Sequence, residues 1–315
     1  MRPLKLIPDD TNIAFLSYRW WAMGLSIFLI VASVFLVATR GLNFGVDFAG
    51  GQMFRVTFTQ DAPVEELRQS LSTLGLGDVS IQQSGSSKTV SIRMPLPEGG
   101  KDASDKAVSR VVKAVKSTHP DARFDATEAV SGKVSNELLR NGSIALSLAM
   151  FGIALYIWFR FEWQFGVGAL FSLFHDVALT FGFFALTGLE FNLNVVAAIL
   201  TIIGYSLNDT IVVYDRVREN LRKFRKMEII PLLDLTVNET LSRTIVTSLS
   251  LIITLTVLLF LGPDVIFGFT AAMLLGIVIG TFSSVYVAAP ILIWLKVGSD
   301  SFVQQASPGG AERVS

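Results

Sequence analysis

Residues 201–220 read TIIGYSLNDTIVVYDRVREN. The first part prolongs an apolar run that begins at Val195, yet it carries Tyr205, Ser206, Asn208, Asp209 and Thr210. The run ends abruptly in Asp215, Arg216, Arg218 and Glu219. This is the pattern of a membrane helix with a carboxylate inside it and a charged cytoplasmic end. An ionised Asp at bilayer depth costs about 2.5–3.5 kcal/mol on insertion scales. A chain that keeps one there uses it as a proton site, an ion site or half of a structural ion pair. With ~100° per residue, Thr201, Gly204, Tyr205, Asn208 and Asp209 share an arc of about 140°. Such a polar and partly small side faces protein or water rather than lipid. A buried Asp satisfied by a neighbouring helix is the competing reading.

The 315 residues are 51% hydrophobic and 17% charged, and several long apolar runs mark an integral membrane protein. Zero net charge gives no sign of a nucleic-acid partner, and the absence of cysteine excludes disulfides and thiolate metal sites. His119 and His175 lie far apart, with no metal-ligand spacing. No nucleophile–base set, P-loop or zinc motif occurs, so neither an enzyme nor a bound cofactor is expected.

The apolar runs predict an all-α bundle of six spans: 20–39, 143–161, 165–187, 193–215, 241–262 and 266–295. Each is near or above the ~20 residues that cross a bilayer core, allowing for tilt. The first exceeds the ~7–15 apolar residues of a signal peptide, so it reads as an uncleaved anchor. Arg216, Arg218, Arg222, Lys223, Arg225 and Lys226 place the loop 216–240 in the cytoplasm. The loops GLEFN (188–192) and GPDV (262–265) hold no Lys or Arg and face outward. Residues 1–19 and a disordered tail, 296–315, are then both cytoplasmic, and 40–142 is external.

Within 40–142, GLNFGVDFAGG (41–51) leads into strands at 52–59, 79–84, 88–94 and 122–130 and helices at 63–75 and 103–118. The order βαββαβ predicts a ferredoxin-like α+β domain. Its helices cover one sheet face, leaving the other to solvent or a partner. Gly45, Asp47, Gly50 and Gly51 form the expected hinge, since glycine permits close backbone turns.

Two further polar features stand in the spans. Arg243, in NETLSRTIVTSLS (238–250), re-enters the membrane at a depth comparable to Asp209, about 9 Å from the end of each helix. An Arg beside the Asp would favour the charged form and burial the neutral one; the alternative is snorkelling to lipid phosphates. His175 and Asp176 sit mid-span, as a proton relay or a static bond between helices. Thr244, Thr247, Ser248 and Thr254 hold water or bond backbone carbonyls. Gly276 and Gly280 give a GxxxG packing signal.

GVDFAGG, HDV, GYSLNDTIVVYDRVREN, NETLSRTIVTSLS and GTFSSVYVAAPILIWL resemble the SecF branch of the SecD/SecF protein-export family, within the RND transporter superfamily. The resemblance runs from the first span to Leu295. It implies one half of a twelve-span machine in the bacterial inner membrane, with SecD as the other half. It also implies the SecYEG channel, YajC and the translocating preprotein as partners. Such a machine uses the proton-motive force to complete export after the ATPase SecA has acted. The family's proton-linked acid falls on Asp209 and its arginine on Arg243. A small-molecule or lipid exporter of the same superfamily, and a scaffold with a fixed Asp209–Arg243 pair, remain the alternatives, and Na⁺ remains a rival coupling ion.

Overall fold

The computed structural model describes residues 8, 11–77, 79–84, 86–97 and 100–298, so most of the first ten residues and of the expected tail lie outside the described residues. A 3₁₀ turn, Phe15–Tyr18, opens into α1 (Arg19–Arg40). There follow α2 (Val46–Ala49), β1 (Gly51–Thr57), α3 (Val64–Ser72), β2 (Ser80–Ser84), β3 (Ser86–Met94), α4 (Gly100–Thr118) and β4 (Arg123–Val130). The chain then forms α5 (Gly132–Arg160), α6 (Trp163–Thr187), α7 (Leu193–Lys223), α8 (Ile229–Leu261) and α9 (Phe267–Ser283). A π-helical turn, Ser284–Ala288, joins α9 to α10 (Ala289–Trp294).

Six helical segments are long and apolar enough to cross a membrane, one for each predicted span. Half or more of the apolar window of α6, α7 and the α9–α10 span is buried, against under a quarter for α1, α5 and α8. The first three therefore form the centre of the bundle. The loop expected at 216–240 is mostly helix: α7 runs to Lys223 and α8 starts at Ile229. Charge ends the apolar pattern there but not the helix, because Arg, Glu and Lys are good helix formers. Arg216 ties the two helices, pairing with Glu219 at 2.6 Å and Glu239 at 2.8 Å.

The sheet has the order β2-β3-β1-β4, all neighbours antiparallel, which is the ferredoxin-like arrangement. Phe54, Val56, Ile81, Val90 and Ile92 alternate onto the face covered by α3 and α4, meeting Leu67, Leu71, Val111 and Val115. The opposite face is covered in part from within the chain, while Thr57, Gln82, Arg93 and Glu128 on it stay half-exposed. Arg55, Gln82 and Ser91 from it line a cavity of about 30 Å³ with Glu190 and Asn192, from the α6–α7 loop, and Phe267.

The segment 41–51 is pinned against the same loop. Phe191 N–H donates to the Asn43 carbonyl at 2.7 Å, and Gly45 N–H to the Phe191 carbonyl at 3.0 Å. Arg93 reaches the Phe44 carbonyl at 2.6 Å. A side chain at Gly45 would collide with Glu190, its Cβ falling 2.3 Å from Oε1. Gly50 and Gly51 have φ of 70° and 110°, so β1 leaves α2 through backbone that other residues resist. The expected hinge is thus a docked strap in this arrangement.

Burial holds the Glu190 carboxyl above its ordinary range, opposed chiefly by Arg55, with Glu128 and Asp47 adding to the rise and Arg93 opposing it. An acid raised in the docked state binds more protons docked than free. Docking should therefore weaken as pH climbs from the ordinary carboxyl value through the raised one. Glu190→Gln should abolish that dependence and hold the domain docked at neutral pH. Spin-label distances between the sheet and the α5 helix across a pH series check this; an unchanged slope in the variant contradicts it.

Candidate functional site in the membrane core

Asp209 sits on α7 facing α8, 8% exposed. Its Oδ1 accepts a bond from the Thr244 hydroxyl at 2.6 Å. Its Oδ2 is buried with no partner. Arg243 forms no ion pair with it among the described residues, and its side chain is exposed. The reason is geometric: Arg243 and Thr244 are adjacent on one helix, about 100° apart, so only one can face α7. The hydroxyl faces it here.

Further hydroxyls tie the helices around this carboxylate. Tyr205 meets Ser248 at 2.8 Å, and Ser248 meets Thr281 at 2.8 Å, joining α7, α8 and α9. Thr210 meets Ser284 of the π turn at 3.1 Å. Pro290 lacks an N–H and cannot continue the i→i−4 ladder, and a π turn next to it is a common accommodation at functional sites. The Tyr214 hydroxyl donates to the Ala288 carbonyl at 3.0 Å, which helps to satisfy the irregular backbone.

His175 and Asp176, both about 1% exposed or less, form a second buried group. His175 Nδ1 and Asp176 Oδ1 are 2.9 Å apart. Asp176 Oδ2 also accepts from the hydroxyls of Ser206 and of Ser283, the latter at 3.0 Å, and Ser172 bonds Ser283 at 2.9 Å. The His175 ring stacks on Phe282, and its Nε2 has no partner.

Gly276 and Gly280 form the close contact that brings these groups together. A Cβ at Gly276 would fall 2.4 Å from Ile202, and one at Gly280 3.1 Å from Ser206. The GxxxG spacing therefore packs the last span onto α7 within one chain. By contrast, Thr201, Gly204 and Asn208 of the polar arc are exposed. Asp47 lies apart from the core, where its carboxylate accepts from Leu193 N–H at 2.9 Å and holds the start of α7. Sequence reasoning missed Ser172, Ser283 and Ser284. Their only signal was a serine pair inside an apolar run ahead of a proline.

The family described as "Protein export membrane protein SecD/SecF, C-terminal" matches residues 110–298, and "SecD/SecF GG Motif" matches 35–62. "Protein translocase subunit SecF" of Cereibacter sphaeroides is 44% identical over 93% of this chain and 93% of its own. The subunit of the same description in Desulfurispirillum indicum is 42% identical, over 90% of this chain and 92% of its own. A crystal structure of SecDF, a translocon-associated membrane protein from Thermus thermophilus, superposes with a TM-score of 0.84 at 33% identity. A super-membrane-facing form of SecDF gives a TM-score of 0.68 at 32% identity. Each match covers 93% of this chain but only 40% of the SecDF chain, so most of that protein has no counterpart here.

The Gly276 contact yields a packing test. Gly276→Ala should destabilise the bundle by about 1–3 kcal/mol through overpacking against Ile202. Ile202→Ala in the same chain should recover part of that loss, because it vacates the space the new methyl needs. Thermal unfolding of the purified protein in detergent measures both, and simple addition of the two losses would show that the helices do not meet there.

Proposed function

This chain belongs to the SecD/SecF family of protein-export membrane proteins, and we propose that its Asp209 couples proton movement to a late step of preprotein export. As the SecF-type subunit of Sec-dependent translocation, it is a multi-pass membrane protein and a transport subunit rather than a known enzyme. Its partner in the membrane is a SecD chain. The uncovered polar arc of α7, together with exposed Arg243, supports a protein neighbour on that face. Lipid tails cannot satisfy an amide or a guanidinium. The wider assembly in this reading comprises SecYEG, YajC and the preprotein, in the bacterial inner membrane with both termini cytoplasmic.

The single observation that carries the proposal is the half-satisfied Asp209 carboxylate. Thr244 serves one oxygen and the other is left to a proton or a water. Loss of the charge weakens the Thr244 bond, and span five is then free to turn. In the deprotonated state after that turn, Arg243 comes inward in place of Thr244. The force is sufficient: one charge crossing 100 mV is worth about 2.3 kcal/mol, a tens-fold bias on a two-state element. The external domain would follow, undocking at the strap 41–51 and the 131–142 connection.

Asp209→Asn should assemble with the SecD partner yet lose at least about ten-fold of gradient-driven export, since each 1.4 kcal/mol of lost driving force is a factor of ten. Arg243→Ala should behave alike, and Arg243→Lys, which keeps charge without the planar fork, should fall between. Export into membrane vesicles under an imposed H⁺ gradient, repeated with Na⁺, measures this, with co-purification as the assembly check. An assembled Asp209→Asn complex that responds to the proton gradient like the wild type would remove Asp209 from the coupling role. A response to Na⁺ alone would replace the proton.

A further inference from the structure

The His175–Asp176 pair is built differently from a static bond between helices. A static bond needs one donor and one acceptor. Asp176 instead receives up to three donors: the ring N–H of His175 and the hydroxyls of Ser206 and Ser283. That set suits an ionised carboxylate. With its Nδ1 proton facing Asp176, His175 keeps a free lone pair on Nε2, and this atom is buried without a partner. An open basic nitrogen beside a fully hydrogen-bonded carboxylate is a place where a proton binds, because the carboxylate stabilises the imidazolium that forms.

The pair is also linked to Asp209. Ser206 and Asp209 are three residues apart on α7, about 4.5 Å along its axis. On the last span, Ser283 faces Asp176, while its neighbour Ser284 bonds Thr210 and faces Asp209. α7 thus offers one hydroxyl to Asp176 and carries Asp209 itself, while the last span offers one hydroxyl to each acid. With the carboxyl end of α7 cytoplasmic, the pair lies one turn nearer the outside than Asp209. Among the described residues, the titratable groups on the helices packed against it are Asp209, Tyr205 and Tyr214 on α7 and Tyr286, one turn beyond Phe282. The membrane stretch of α1, which packs on α6, brings no charged residue.

We propose that His175 and Asp176 form a second proton-binding station, loaded at His175 Nε2 from the outer side and discharged inward to Asp209. The steps balance as proton transfers. A hydronium gives its proton to Nε2, forming N–H and leaving water. The His175 Nδ1 proton passes to Asp176, and the imidazole is neutral again with its proton on Nε2; before the next cycle, water takes that proton as Nδ1 regains one, which restores the starting tautomer. The Ser283 and Ser284 hydroxyls do not bond each other but share the Gly280 carbonyl as acceptor; once rotation brings them together, each passes on one proton and regains one, Asp176 returns to the carboxylate and Asp209 is left protonated. The proposal rests on Asp209 being the coupling acid.

The test is gradient-driven export across a pH series, in vesicles carrying the assembled complex. Asp209→Asn should be inactive at every pH. His175→Asn should keep assembly but lose at least about ten-fold of the rate, together with the pH dependence that an ionisable ring at this position gives the wild type. Ser283→Ala should slow transfer while leaving that pH dependence in place. An active Asp209→Asn complex defeats the coupling acid itself. An inactive Asp209→Asn beside a His175→Asn complex with the wild-type pH profile defeats this proposal alone. An independent reading comes from the folded protein: with His119→Asn, His175 is the sole histidine of the chain. Infrared difference spectra, with ring-labelled histidine in this chain only, should show an imidazolium that forms as the outer side is acidified. A ring that stays neutral throughout overturns the proposal, whatever the variants do.

Discussion

A carboxylate held by one hydroxyl, in a helix that lipid cannot hydrate, is the constraint to which the membrane half of this protein answers. Asp209 can be tolerated at that depth only if neighbouring helices bring polar groups to it. Thr244 does so from α8, and Ser284 lies across from it on the last span. Those groups are within reach because Gly276 and Gly280 let the last span approach α7 closely. The approach in turn places Ser283 and Ser284 at a π turn, next to a proline that cannot continue the helix. Packing, backbone irregularity and chemistry at the centre therefore have one cause.

The external domain is tied to the same helix from its other end. Asp47 holds the first turn of α7, and Asp209 lies sixteen residues further along, about 24 Å at 1.5 Å per residue. The strap that carries Asp47 also carries the docking bonds to the α6–α7 loop. A movement of the sheet on that loop and a movement of α7 are thus mechanically connected through one rigid element. The polar cavity between Arg55 and Glu190 lies on that connection, and Arg55 Nε has no hydrogen bond there.

Much of this was legible in the residues. Six apolar runs and the βαββαβ pattern are long-range periodicities that tertiary contacts did not override. Asp209 announced itself by being a charge in an apolar run. Contacts that depend on rotation about a helix axis were not legible. Depth placed Arg243 beside Asp209, but the facing residue is Thr244, and helical phase across two separate spans is not written in either. The loop at 216–240 failed because loss of hydrophobicity was taken as loss of helix. The uncovered sheet face looked free because its cover, the short loop 188–192, comes from a distant part of the chain. His175 and Asp176 stand out in the sequence as polar residues mid-span, but the structure adds serines that have no periodic signature and joins all of them in one buried cluster.

The central claim is that span five must move relative to its neighbours when Asp209 changes charge. Ser248 and Thr281 touch through their hydroxyls at 2.8 Å, and the chain has no cysteine of its own. Cysteines at these two positions can therefore clamp span five to span six with no competing thiol in the chain. Gradient-driven export by the assembled complex should stop when the pair is oxidised and return when it is reduced. Undiminished export from the fully oxidised complex would show that span five need not move.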